Sequence, residues 1–171
     1  QDRIEVYQSS GTLEEQIQKL SAEPESVDGL RKLAMMYGAS GDLISAERAI
    51  QKAIKLDPDA SDVLLVAADL AERQNRLGDA AKLFERLATP DSRFRTNYLQ
   101  RVASLQSRLG QTDEAIKTCE AIIDANPASP ESYLFYARTA VGVNRDEEGI
   151  AALRRAMSVA PRDNSARRML A

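Results

Sequence analysis

Residues 27–58, VDGLRKLAMMYGASGDLISAERAIQKAIKLDP, read as two helices joined by a turn. Leu30, Leu33, Ala34 and Tyr37 recur at i, i+3, i+4 and i+7, which places them on one helical face. Gly41 and Asp42 interrupt the pattern, and glycine suits a left-handed helix terminus because it has no Cβ to clash. Ala46, Ile50 and Ala53 then mark the face of a second helix. Leu56-Asp57-Pro58 stops it, since proline cannot sit deep in a helix but can open the turn into the next.

The phrase repeats along the chain. The step from Pro127 to Pro161 is 34 residues, and that from Pro58 to Pro127 is 69, two periods plus one residue. One period after the opening stretch, Leu64, Ala67, Ala68 and Ala71 fill the first-helix slots. Asn75 takes the turn, Ala80, Phe84 and Leu87 the second helix, and Asp91-Ser92 the stop. An extra residue near Arg95 resets the frame. Leu99, Val102 and Ala103 follow, then Gly110, then Ala115, Cys119 and Ile122, with Asn126-Pro127 as the stop. Tyr133, Tyr136, Ala137 and Ala140 open the last full unit, with Asn144 at its turn and Gly149, Leu153 and Ala156 leading to Pro161. A helical period of this size means stacked two-helix units, stabilised by burial between neighbours. The slots at Ala34, Ala68, Ala103 and Ala137, and at Ala46, Ala80 and Ala115, are small in every unit and predict the tight helix crossings.

This pattern resembles the tetratricopeptide repeat family across residues 27–163, recovered four times in register. It departs from the family where Leu30, Leu64 and Leu99 stand at the usual aromatic slot. It departs again at Gly149, an expected alanine, at about 1 kcal/mol in helix propensity. The resemblance implies an all-α fold, a right-handed α-solenoid of stacked antiparallel helix pairs. The divisions expected are 27–60, 61–95, 96–129 and 130–163, with 164–171 starting a further helix. Residues 1–26 read as a shortened repeat or a capping helix. Tyr7 and Gly11 are spaced like Tyr37 and Gly41, and Leu13, Ile17 and Leu20 make an amphipathic helix before Pro24. The alternative is an extended Arg3–Tyr7 segment, with Ile4 and Val6 alternating, before one capping helix. Opening at Gln1 and closing at Ala171 in mid-phrase, the chain reads as a piece cut from a longer protein or as a processed product.

Composition bounds the chemistry. The chain is 43% hydrophobic and 29% charged, with aromatics at 5% and a net charge of −3. That charge gives no electrostatic case for nucleic acid or an anionic membrane. No run of 18 apolar residues appears, so no membrane insertion is expected. The absence of histidine removes the commonest general base and metal ligand. Cys119 falls on a core face, and a lone cysteine suits a reducing compartment and the cell exterior alike. Glu14-Glu15 and Glu147-Glu148 fall at first turns of second helices, where they complement the dipole rather than form an acid–base pair. Neither a catalytic centre nor a cofactor or metal site is expected.

In the resembling family, partners lie along the concave side lined by first helices. The register puts Asp28, Arg31, Met35 and Gly38 on that side in the first full unit. The second offers Asp62, Leu65, Asp69, Glu72 and Arg73. The third offers Asn97, Gln100, Arg101, Ser104 and Arg108, and the fourth Glu131, Leu134, Arg138 and Val141. Leu65, Val66, Leu134 and Phe135 are read either as packing for the next unit or as anchors for a partner. Some relatives grip a C-terminal carboxylate with Lys and Asn. Here Arg31 stands at the Lys slot but Met35 at the Asn slot, so no such clamp is assigned. Nor is there an asparagine ladder, because its slots hold Lys32, Val66, Arg101 and Phe135.

Two function classes follow. One is a non-catalytic scaffold binding a protein or peptide on the concave face. The other is an architectural spacer of a larger protein, with end-to-end pairing of copies as a consequence.

Overall fold

A computed structural model describes residues 12–170. Tyr7, Gly11, the Arg3–Tyr7 segment and Ala171 lie outside the described residues. The chain divides into two compact units, one extending to Arg76 and one beginning at Leu77.

The first unit contains α1 (Leu13–Ser21), α2 (Val27–Ser40), α3 (Leu43–Leu56) and α4 (Ser61–Arg73). The α2 helix packs along α3, α4 lies against both, and α1 rests on α2. The first three starts have a local cause. Thr12 and Glu15 form a reciprocal capping box on α1, Ser26 Oγ accepts from the Gly29 amide, and Asp42 Oδ1 accepts from the Ser45 amide. Leu30, Ala34, Ala46, Ile50 and Ala53 are buried as the periodicity requires.

The second unit contains α5 (Leu77–Leu87), α6 (Arg95–Arg108), α7 (Thr112–Ala125), α8 (Pro130–Gly142), α9 (Asp146–Val159) and α10 (Ser165–Leu170). Pairing runs α5 on α6, α6 on α7, α7 on α8, α8 on α9 and α9 on α10, and α6 also touches α8. Its deepest side chains include Phe84, Val102, Leu105, Cys119 and Ile122. No strand occurs among the described residues. The fold is all-α, built from neighbouring helix pairs.

The turns agree with the sequence period. Gly41, Asn75, Gly110 and Asn144 have φ of 88°, 57°, 74° and 61°, and no other described residue has positive φ. After Asn75, Gly110 and Asn144 the next amide donates back into the closing helix. These bonds are Arg76 to Ala71, Gln111 to Gln106 and Arg145 to Ala140, at 2.8–2.9 Å. The alanines expected at tight crossings, Ala34, Ala68, Ala103, Ala137, Ala46, Ala80 and Ala115, are all fully buried.

Three expectations need correction. The second helix after Asn75 does not run to an Asp91-Ser92 stop: α5 ends at Leu87, with 11 residues against 14 in α3, α7 and α9. Pro90 explains this, because its ring disfavours helical backbone at Thr89. Gly38 is not on the open surface but buried; a Cβ there would meet Arg73 Nη1 at 3.0 Å and Leu70 Cδ2 at 3.2 Å. Gly149 is no mere loss of helix propensity. Its Cβ would meet Val141 Cγ2 at 3.1 Å and the Ala137 carbonyl at 3.3 Å, so glycine permits α9 to approach α8 closely.

Candidate functional site

Within the first unit, the first helices α2 and α4 lie side by side. The cationic side chains between them are held by cross-helix contacts. Arg31 Nη2 reaches Asp28 Oδ1 at 2.5 Å, and its Nε lies 2.9 Å from Asp62 Oδ2 on α4. Lys32 adds a second cation to Asp28 at 2.6 Å. Lys32 and Arg31 together hold the Asp28 carboxyl below its ordinary range. Arg31 Nη1 also stands 3.3 Å from Met35 Sδ, and Met35 itself is half-exposed.

About three turns further along α4, Arg73 Nη2 donates to the Gly38 carbonyl at 2.6 Å. That bond lays the guanidinium over a position without a side chain. A cavity of about 200 Å³ opens beside it, lined by Met35, Gly38, Val66, Asp69, Leu70 and Arg73. The cavity thus gathers Met35, Asp69 and Arg73 from the sequence-derived candidates. Leu65 is half-buried and does not line it.

A second cavity of about 200 Å³ lies among α1, α2 and α3, with Leu20, Pro24, Leu33, Tyr37 and Ala49 in its wall and the Lys52–Glu25 ion pair at its edge. Sequence reading missed it. The only available signal was the short α1, 9 residues long, which covers less of α2 than a 14-residue helix would.

In the second unit the corresponding helices are α6 and α8. Arg101 rests its guanidinium 5.2 Å from the centre of the Phe84 ring. Phe84 stacks on Tyr98 and Tyr98 meets Phe94 edge-on, both at 6.1 Å, and Arg93 covers Phe94 at 4.6 Å. Asn97, Arg108 and Arg138 are exposed, and Gln100 is half-buried with its carbonyl accepting from Ser104 Oγ at 2.8 Å. Leu134 packs against the core cluster around Ala137, Ala152 and Leu153, which gives it a structural job. Val141 is 53% exposed beside Arg138 on α8.

The buried polar groups serve the fold. Gln106 Oε1 accepts from Thr118 Oγ1 at 2.7 Å, joining α6 to α7. Tyr136 Oη donates to Glu148 Oε2 at 3.1 Å, and Arg145 ties Glu148 to Asp113. Burial, reinforced by the Glu148 bond, pushes the Tyr136 phenol up to about 12. Burial also pushes the Cys119 thiol up to about 11, the reverse of what an activated nucleophile needs. Among the described residues, no three His, Cys, Asp or Glu side chains group as metal ligands, and no helix is long and apolar enough to cross a membrane.

Comparison with known proteins places this geometry. No curated protein matches the chain in sequence. Among solved structures, a crystal structure of MamA protein superposes with a TM-score of 0.68 at 18% identity, covering 98% of this chain and 92% of that one. The MSR-1 MamA structure gives 0.64 at 19% identity, with 94% of each chain covered. An AMB-1 MamA structure gives 0.67 at 17% identity, with 99% and 94% covered. At such identities the likeness concerns the fold alone. Two family models, both described as tetratricopeptide repeat, match residues 31–93 and 106–171. Together with the four left-handed turns, the two matches show that this chain belongs to the tetratricopeptide repeat family.

Proposed function

We propose that the chain is a non-catalytic scaffold that binds a segment of a partner protein along its first-helix faces. The cavity between α2 and α4 carries this reading: it is concave, with Met35 and Val66 as apolar wall and Asp69 and Arg73 as polar edge. An extended peptide or one helix of a partner fits such a surface, because each offers side chains at regular spacing to alternating apolar and charged positions. The Arg31–Asp62 and Arg73–Gly38 contacts support it by holding long side chains in place before a partner arrives, which lowers the ordering cost of binding.

Site-directed photo-crosslinking in the source cells tests the reading. A crosslinker at Met35 or Val141, both on first helices, is expected to trap a partner polypeptide. The same group at Ile44, 76% exposed on α3, is expected not to. Equal trapping at all three positions, or trapping at Ile44 alone, removes the first-helix faces from consideration.

A further inference from the structure

The cavity among α1, α2 and α3 exposes apolar slots that later units keep closed. Its wall takes Leu30, Leu33 and Tyr37 from α2, Ala49 from α3 and Leu20 from α1. One, two and three periods after Tyr37 the same slot holds Ala71, Gln106 and Ala140, all buried. Tyr37 itself is only half-buried. So is Leu33, whose counterparts Ala67 and Val102 are buried. The short α1 accounts for the difference, because its 9 residues cover less of α2 than a 14-residue helix would.

The charges in the wall are unequal. Lys52 and Glu25 neutralise one another in their ion pair. Glu23 belongs to the connection between α1 and α2, at the same end of the cavity as that pair. Arg48 stands on α3, about one turn from Lys52. It is exposed, and among the described residues its guanidinium has no hydrogen-bonded or ion-paired partner. The nearby Asp42 carboxylate is already engaged by the hydroxyl and amide of Ser45. The space is about 200 Å³. An apolar cavity of about 150 Å³ accepts benzene, so this one has room for a benzene ring with a short substituent.

We propose that this cavity binds a small aromatic carboxylate, with its ring against Leu30, Leu33, Tyr37 and Ala49 and its carboxylate on Arg48. The ring removes exposed apolar wall from water. The planar guanidinium takes the carboxylate through two parallel N–H bonds. The cavity is built with α1 and α3, whereas the first-helix cavity is built with α4, so this site is independent of the partner-binding reading above.

The test is an amide NMR titration of the full chain with phenylpropionate. Its controls are phenylpropionamide, phenylpropylamine and acetate. Phenylpropionate is expected to shift the amides of Leu33, Tyr37 and Ala49 with a Kd on the order of 1 mM, within what about eleven heavy atoms supply. The neutral amide and the amine bind at least about fivefold more weakly, and acetate leaves those three amides unshifted. Arg48→Gln, at an exposed position, lowers phenylpropionate affinity to that of the amide with unchanged far-UV circular dichroism. Leu33→Trp fills the space and abolishes binding; should it unfold the chain, Arg48→Gln still decides the matter. No binding, equal affinity for carboxylate and amide, or full affinity in Arg48→Gln overturns the proposal. So do shifts centred on Met35, Gly38 and Arg73, which move the ligand to the first-helix cavity. Binding seen only with Ile4→Ser and Val6→Ser together assigns the space to the chain's own N-terminal segment and overturns it as well. Partner crosslinking at Met35 and Val141 stands or falls separately from all of these results.

Discussion

The left-handed turns permit a test in which one chemical change has opposite effects at two places. Gly110 has φ of 74°, and a Cβ built there meets nothing within 4 Å. Gly110→Ala therefore introduces no clash with neighbours, and its effect comes from backbone conformation. A residue with a Cβ pays about 1–2 kcal/mol in the left-handed region. Alanine recovers part of that, about 0.4–1 kcal/mol, by restricting the unfolded chain. The expected net loss is about 1 kcal/mol. Gly78 also has open space around its Cβ, but lies inside α5 without positive φ. Gly78→Ala should gain up to about 1 kcal/mol of helix propensity, less near the first turn, so about 0.5 kcal/mol. Both residues belong to the second unit, so one unfolding transition reports both. Urea unfolding followed by circular dichroism is the assay. With a slope of about 2 kcal/mol per molar, the two variants should separate by about 0.7 M, on opposite sides of the parent. Gly41→Ala, with φ of 88° and equal space, should repeat the loss in the first unit. If Gly110→Ala and Gly78→Ala shift in the same direction, backbone conformation is not what selects glycine at the turn, and the reasoning fails.

Three further outcomes are expected. Ala46→Leu, at a fully buried crossing, should overpack α3 and cost about 1–3 kcal/mol; an unchanged melting temperature would argue against the packing register. The Cys119 thiol, fully buried and raised to about 11 by that burial, should resist a thiol reagent at pH 8 and react at the rate of unfolding; rapid labelling of folded protein would contradict its core position. The Asp42 carboxyl is held below its ordinary 3.8, first by the Ser45 hydroxyl and then by the Ser45 amide. A depressed folded value means that its contribution is present above pH 3.8 and is lost as pH falls through the folded value. Acid titration of stability should therefore fall more steeply between about pH 5 and pH 3 in the parent than in Asp42→Asn. Equal slopes would show that the Asp42 charge does not stabilise the start of α3.

What the sequence by itself determined is what one or two turns of chain can specify. Helix faces followed from apolar spacing, and the positive φ of Gly41, Asn75, Gly110 and Asn144 from the residue types that tolerate it. The buried small slots such as Ala34 and Ala115 followed from the period, because each unit meets its neighbour through the same position. The early end of α5 was misplaced at Asp91-Ser92, although its cause, Pro90 acting on Thr89, is local.

The tertiary structure decided what depends on distances between helices. Arg31 and Arg73 both read as groove residues in sequence. One is engaged by Asp62 and the other by the carbonyl of Gly38, a residue that itself turned out to be buried. Gly149 looked like a weak helix former and proved to be a close approach between α9 and α8. Leu134, open in sequence between packing and a partner anchor, packs on the core, while Arg101 lies over Phe84. The physical reason is reach. Periodicity sets the direction in which a Cβ points, whereas a long side chain extends several ångströms beyond it and takes whatever partner the neighbouring helix presents.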